Sequence, residues 1–300
     1  MQIGIDLGAT KIEYVLLDNQ NKELTRNRIS TPNDYIGTTK SIISIVKDVE
    51  NKNKENLNVG ICHPGTTDKT TGLIKNAHNS QWLNNKNLIK DLKKNINNNI
   101  YLENDANCFC LSEAYDGSAS HYETVFGIIL GSGCGGGLVI NKKIISGSNG
   151  LGGEWSLNQM PELDIPNLKS ENKLDFSNRI EGFLSGKSIE KNFKLKFNNE
   201  LTAKEIFSKY RKNDSDAKNF INDYKNKLAR SLIIVITTID PDAIVFGGGV
   251  SNEIDFLDEV KLLTSKLINE PNLKTVFLKP LYGDASGVRG AALLGRDNFI

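Results

Sequence analysis

Two short stretches, QIGIDLGAT at 2–10 and VFGIILGSG at 125–133, carry one pattern. Gly4, Ile5, Leu7 and Gly8 of the first match Gly127, Ile128, Leu130 and Gly131 of the second. Each is an apolar run of strand length that stops at glycine. Each leads into a second strand-like run, KIEYVLLD (11–18) after the first and GLVIN (137–141) after the second. A hairpin start used once in each half of a 300-residue chain means two lobes built alike, with a boundary expected near 117–121. Inside the strand the copies differ at one polar position. Asp6 stands where the second copy has Ile129, so only the first strand carries an acid.

The remaining elements alternate between strand and helix. YIGTTKSIISIVKDVEN (35–51) spaces Ile36, Ile42, Ile43, Val46 and Val49 as an amphipathic helix. LNVGIC (57–62) and IYLEN (100–104) read as strands. DANCFCLSEAYDGSA (105–119) reads as a helix with Asp105 at its start. TAKE (202–205) is a capping box, and a long helix covers roughly 216–238. DAIVFGGGVSN (242–252) is a strand, a triple-glycine turn and a helix start. GDASGVRGAALLG (283–295) is a loop entering a final helix.

Charge and cysteine usage exclude several classes. Lys+Arg 37 against Asp+Glu 36 leaves +1, which gives no reason to expect nucleic acid or an anionic membrane. KKNINNN (93–99) is compositional drift on a solvated surface. Cys62, Cys108, Cys110 and Cys134 show neither metal-ligand spacing nor a disulfide framework, so a cytoplasmic protein is expected. MQIGIDLG lacks the basic and apolar regions of a signal peptide, and no apolar run reaches the roughly 18 residues of a membrane span.

GSGCGG (131–136) fits G-x-G-x-x-G, but the strand-like GLVIN follows it. A nicotinamide dinucleotide needs a helix there, so that reading fails. Bare glycine turns can still offer N–H groups to phosphates, or can be ordinary hairpins. Asp6 lies in an apolar strand, where an acid needs a partner. The partner is either a Mg²⁺ ion with ATP phosphates, reached through water, or a structural hydrogen bond to Thr10 or a backbone amide. Asp105 is either a helix N-cap or a general base at a strand end, with Glu103 on the same face. His63, His78 and His121 are scattered and read as loop residues. CHPG (62–65) and NAHNSQWLN (76–84) suit sugar hydroxyls, or ordinary turns.

IGIDLGATK, PG, NDAN, GSGCGGG, GGEW, EGFLSG, DPDAIVFGGG and GDASGVRGAALLG, in that order, resemble the ROK family of bacterial sugar kinases. NAHNSQWLN and EAYDGSA look most like its fructokinase branch. The resemblance implies an α/β protein of the actin-like, hexokinase-type ATPase fold, two lobes around a nucleotide–sugar cleft. It places an N-terminal lobe at 1–118, joined by a C-terminal helix at about 286–300, and a second lobe at 119–285 with a sugar loop at 150–186. It implies ATP and Mg²⁺ as cofactors and a hexose as substrate, fructose to fructose 6-phosphate first. Glucose, mannose or an N-acetylhexosamine is the alternative. A homodimer is expected.

The same resemblance assigns roles. Asp6 would align Mg²⁺–ATP through water. Gly8, Thr10 and Lys11 would line the phosphate cleft from the first lobe, and Gly131, Ser132 and Gly133 from the second. Gly247, Gly248 and Gly249 would pass beside the adenosine. Asp105 would take the sugar hydroxyl proton, with Asn104 positioning the sugar. Gly65, Asn79, Glu154 and Glu181 would complete the sugar site.

One departure stands out. Where the family has a zinc-binding histidine and three cysteines, this chain has Leu157, Asn172, Leu174 and Arg179. No structural zinc is expected from these side chains. An apolar cluster of Leu157, Leu163, Ile165, Leu168, Leu174 and Phe176 is expected in its place. The resemblance also admits ROK repressors and non-catalytic sugar-binding proteins. The start of this chain at the first strand, without a DNA-binding helix-turn-helix, argues against the first. The presence of Asp6 and Asp105 argues against the second.

Overall fold

The computed structural model describes residues 1–161 and 178–296. The chain enters on β1 (Gln2–Leu7), β2 (Lys11–Leu17) and β3 (Glu23–Ser30), then α1 (Tyr35–Asn53) and β4 (Asn58–His63). The short pair β5 (Thr66–Thr67) and β6 (Ile74–Lys75) precedes α2 (Leu88–Leu92), β7 (Ile100–Asn104) and α3 (Asp105–Tyr115). Next come β8 (Thr124–Leu130), β9 (Cys134–Ile140), β10 (Lys143–Ile144), α4 (Glu181–Leu184) and α5 (Gly186–Phe197). The chain continues through α6 (Ala203–Arg211), α7 (Ser215–Ile239), β11 (Ala243–Gly247) and α8 (Gly249–Glu253). It closes on α9 (Leu257–Leu267), β12 (Val276–Leu278) and α10 (Ser286–Leu294).

Two compact units result. The first comprises Met1–Glu123, Gly137–Gly153 and Leu281–Ile300; the second comprises Thr124–Gly136 and Glu154–Pro280. The division falls inside β9, so 137–153 joins the first unit, whereas the sequence reading kept 119–285 together. One sheet has the order β3-β2-β1-β4-β7 and the other β10-β9-β8-β11-β12. The repeated stretch therefore forms the central strand of each sheet. In the first, β1 pairs antiparallel with β2 and parallel with β4, which is parallel to β7. In the second, β11 is parallel to both β8 and β12.

The first unit explains why its central strands are largely apolar. Ile3, Ile5, Val59 and Ile61 are fully buried, as expected for strands covered on both faces. On one face α1 contributes Ile42, Ile45, Val46 and Val49 to a core shared with Leu83, Leu88 and Leu92. Asp34 caps that helix by accepting from Gly37 N at 2.8 Å. On the other face α10 lies against the sheet backbone. A Cβ on Gly60 would sit 1.8 Å from Ala291 O, and one on Gly4 2.2 Å from Val288 O. This close approach is why β1 and β4 carry glycine at positions 4 and 60.

Glu113 holds the entry to α10. Its fully buried carboxylate accepts from Ser118 N (2.9 Å), Leu281 N (2.9 Å), Tyr282 N (3.2 Å) and Ser286 Oγ (2.7 Å). The N–H that turns to Glu113 is part of why α3 stops at Tyr115, four residues short of the 105–119 reading. In the second unit, Thr202 and Glu205 form the expected capping box of α6. Lys225 is buried beneath it, bonded to Tyr210 OH and Glu259 Oε2 at 2.7 Å each. The four cysteines are buried free thiols. No helix among the described residues is long and apolar enough to cross a membrane.

Candidate active site

Because β1, β4 and β7 run parallel, their C-terminal ends bring Asp6, His63 and Asn104–Asp105 to one edge of the first sheet. Ligands of open α/β sheets bind at such edges. The capping question at α3 is resolved in favour of Asn104. Its Oδ1 accepts from Ala106 N (2.8 Å) and Asn107 N (3.2 Å), while its Nδ2 donates to Gly65 O (2.8 Å). Asn104 thus ties the start of α3 to the loop after β4. Asp105 is the first helical residue, exposed, with Ala106 N 2.9 Å from its Oδ1. The capping reading of Asp105 is therefore replaced.

Glu103 was noted only for its face. Its Oε1 accepts from Asn104 N (2.8 Å) and Asn107 Nδ2 (3.0 Å), and burial pushes its proton affinity up. His63 is not a loop residue. It ends β4, fully buried, and burial pulls its pKa down to about 4. As a neutral ring, Nδ1 donates to Pro64 O and Nε2 accepts from Thr67 Oγ1, both at 2.9 Å. His78, His121 and Asn79 are exposed turn residues.

The turn after β1 runs from Gly8 through Thr10 to Lys11. Gly8 N donates to Lys11 O at 3.0 Å. Thr31, which sequence reasoning missed, clamps the turn: its N donates to Thr10 O (3.0 Å) and its Oγ1 to Gly8 O (2.8 Å). Asp6 does not use Thr10 or a backbone amide. Its register partner on β4 is Cys62, whose thiol donates to Gly287 O at 3.7 Å. Burial raises the proton affinity of Asp6, and Glu13 adds to this, against Lys11 and Arg28.

Glu13 was also missed. It lies opposite Asp6 in the β1–β2 register, is 2 % exposed and is bonded by Arg26 and Arg28 of β3 (Arg28 Nε to Oε2, 2.7 Å). The signal was available: arginines at alternating positions of β3 form a row that meets an acid across the ladder.

The second unit gathers the other expected residues around the end of β8. The Gly131–Gly133 turn closes with Gly131 N donating to Gly133 O at 2.9 Å, and Ser132 is exposed at its tip. Gly247 ends β11. Gly248 follows at φ +89°, where a Cβ would lie 2.5 Å from Leu130 O, so only glycine fits; Gly249 then opens α8. The indole of Trp155 donates to Gly135 O (3.0 Å) and Ser156 Oγ to Cys134 O (2.6 Å). These two bonds stitch the segment after Glu154 onto β9. Glu181, first residue of α4, accepts from Cys134 N at 3.4 Å. Burial raises the proton affinity of Glu154, and the charge of Glu181 raises it further.

Of the expected apolar cluster, Leu157 is 40 % exposed, and Leu163, Ile165, Leu168, Leu174 and Phe176 lie outside the described residues, as does Asn172. Among the described residues no group of three or more His, Cys, Asp or Glu is placed to hold a metal ion.

The ROK family model matches residues 2–298. The N-acetyl-D-glucosamine kinase of Haemophilus influenzae (strain 86-028NP) is 35 % identical over 303 residues, covering 98 % of this chain and 99 % of that protein. That of Mannheimia succiniciproducens is 36 % identical with the same coverage. The crystal structure of a ROK hexokinase from Thermus thermophilus superposes with a TM-score of 0.85 at 21 % identity, covering 98 % of this chain and 97 % of that one. The expected actin-like, hexokinase-type fold is thereby found. The expected leaning to the fructokinase branch is corrected, because these relatives are N-acetyl-D-glucosamine kinases. With nearly every residue inside the family match, the chain belongs to the ROK family.

Proposed function

We propose that this protein is an ATP-dependent sugar kinase that phosphorylates a hydroxyl of N-acetyl-D-glucosamine. The observation that carries the reading is the full-length similarity, at 34–36 % identity, to N-acetyl-D-glucosamine kinases. The geometry supports the roles. Asp105 is the carboxylate that takes the hydroxyl proton: it is exposed at the C-terminal edge of β7, and Asn104 rather than Asp105 is the N-cap of α3. Glu154 and Glu181 accept hydrogen bonds from sugar hydroxyls, which offset the mutual repulsion of two carboxylates. Gly65 and Asn79 are further sugar-contact residues in this reading. The glycine turns at 8–11 and 131–133 offer backbone N–H groups to phosphates, and Gly247–Gly249 passes the adenosine.

Mg²⁺ fits Asp6. The carboxylate is half-buried with raised proton affinity, and Gly287 leaves room beside it, since a Cβ there would lie 3.6 Å from Asp6 Oδ2. When bound, the ion neutralises phosphate charge.

The test is ADP release with ATP, Mg²⁺ and a panel of N-acetyl-D-glucosamine, N-acetyl-D-mannosamine, glucose, mannose and fructose. The highest kcat/KM is expected for N-acetyl-D-glucosamine. A clear preference for fructose would restore the branch expected from the sequence motifs. Sugar binding without turnover would mark a non-catalytic protein.

A further inference from the structure

The start of α5 lies against two glycine segments of the second unit at once. Gly186 N donates to Gly131 O at 2.7 Å. A Cβ on Gly186 would stand 3.1 Å from that oxygen and 3.3 Å from Cγ2 of Val250, the residue after Gly247–Gly249. Gly186 is thus the contact that seats α5 between the 131–133 turn and the 247–249 segment. The next residue is Lys187, whose Cα is therefore about 3.8 Å from that of Gly186. It is exposed, and it has no carboxylate partner among the described residues, whereas Lys194 further along the same helix is paired with Glu200 at 2.6 Å.

We infer that Lys187 binds the phosphate chain of the nucleoside triphosphate. This rests on the ATP reading above and adds a residue to it. The glycine segments have only neutral N–H groups to offer, while a triphosphate carries several negative charges. Lysine suits the task as a compact point charge with three donors on a flexible four-carbon stem. Its anchor at Gly186 places the base of that stem one residue from the turn. An exposed, unpaired ammonium needs little rearrangement to reach an incoming anion.

The experiment measures ATP and adenosine binding to the full chain by calorimetry, with Mg²⁺ and without sugar. The proteins are the wild type, Lys187→Ala and Lys187→Arg. A charge-assisted contact predicts that Lys187→Ala weakens ATP about 10- to 100-fold, leaves adenosine unchanged and keeps its melting midpoint. Lys187→Arg should stay within about threefold of wild type, because the charge remains. Unchanged ATP affinity in Lys187→Ala would overturn the inference and leave the ATP reading standing. Equal weakening of ATP and adenosine would assign Lys187 to the fold of α5 and also overturn it. Absence of ATP binding by the wild type would overturn the ATP reading and the inference together.

Discussion

Acid should unfold this protein partly through one buried imidazole, and His63→Gln should remove that sensitivity. In the folded chain His63 is held neutral with a pKa of about 4, against 6.5 for an ordinary histidine. The unfolded chain therefore takes up a proton near pH 6.5, whereas the folded chain resists until about pH 4. The stabilisation is complete above 6.5 and is lost as pH falls towards 4, where the loss reaches about 3 kcal/mol. Integrated from pH 7.5 to 4.5, the wild type should lose about 2.5 kcal/mol that a non-titrating residue would keep. Glutamine offers an amide N–H to Pro64 O and an oxygen to Thr67 Oγ1, so part of the local bonding survives. Any fixed cost of the substitution is the same at both pH values and cancels from the difference. Urea unfolding followed by tryptophan fluorescence gives the numbers, with Trp82 reporting from the same unit. If His63→Gln loses stability with acid as steeply as the wild type, the imidazole is not buried neutral and the reasoning fails.

Gly60→Ala places a carbon 1.8 Å from Ala291 O. It should lower stability by about 1–3 kcal/mol and the melting midpoint by several degrees. Gly131→Ala, with no atom within 4 Å of the added carbon, should shift the midpoint little by the same thermal melt. Because Glu154 is protonated more readily than an ordinary glutamate, sugar affinity should weaken on acidification before pH reaches 4.5. Calorimetric titration of sugar from pH 7.5 downward checks this, and an affinity that stays flat to pH 4.5 would reject the role of Glu154.

What the sequence disclosed was local, and what it concealed was tertiary. The strand–turn–strand repeat could be read because apolar runs and glycines act on their own neighbours, and it placed β1 and β8 at the centres of two sheets. The cap of α3 could not be read. Asn104 and Asp105 are adjacent residue types that both cap well, and the bonds that Asn104 Oδ1 accepts from Ala106 N and Asn107 N decide for Asn104. His63 looked like a loop residue because proline and glycine follow it, yet β4 extends through it to pair with Asn104. Glu13 and Glu113 drew no expectation from the sequence. Their burial depends on partners that the fold supplies, Arg26 and Arg28 for one and the 281–286 segment for the other. Thr31 is a clamp only because β3 returns its end to the turn after β1.

The central claim is that Asp105 takes the proton from the sugar hydroxyl during phosphoryl transfer. It is tested most directly by the rate of ADP release at saturating N-acetyl-D-glucosamine and Mg²⁺–ATP for wild type and Asp105→Asn. Asparagine keeps the size and polarity of the side chain but cannot accept the proton. The account predicts kcat lower by roughly 10²–10⁴-fold, with sugar affinity within a few-fold of wild type. An Asp105→Asn enzyme turning over at a near wild-type rate would contradict it.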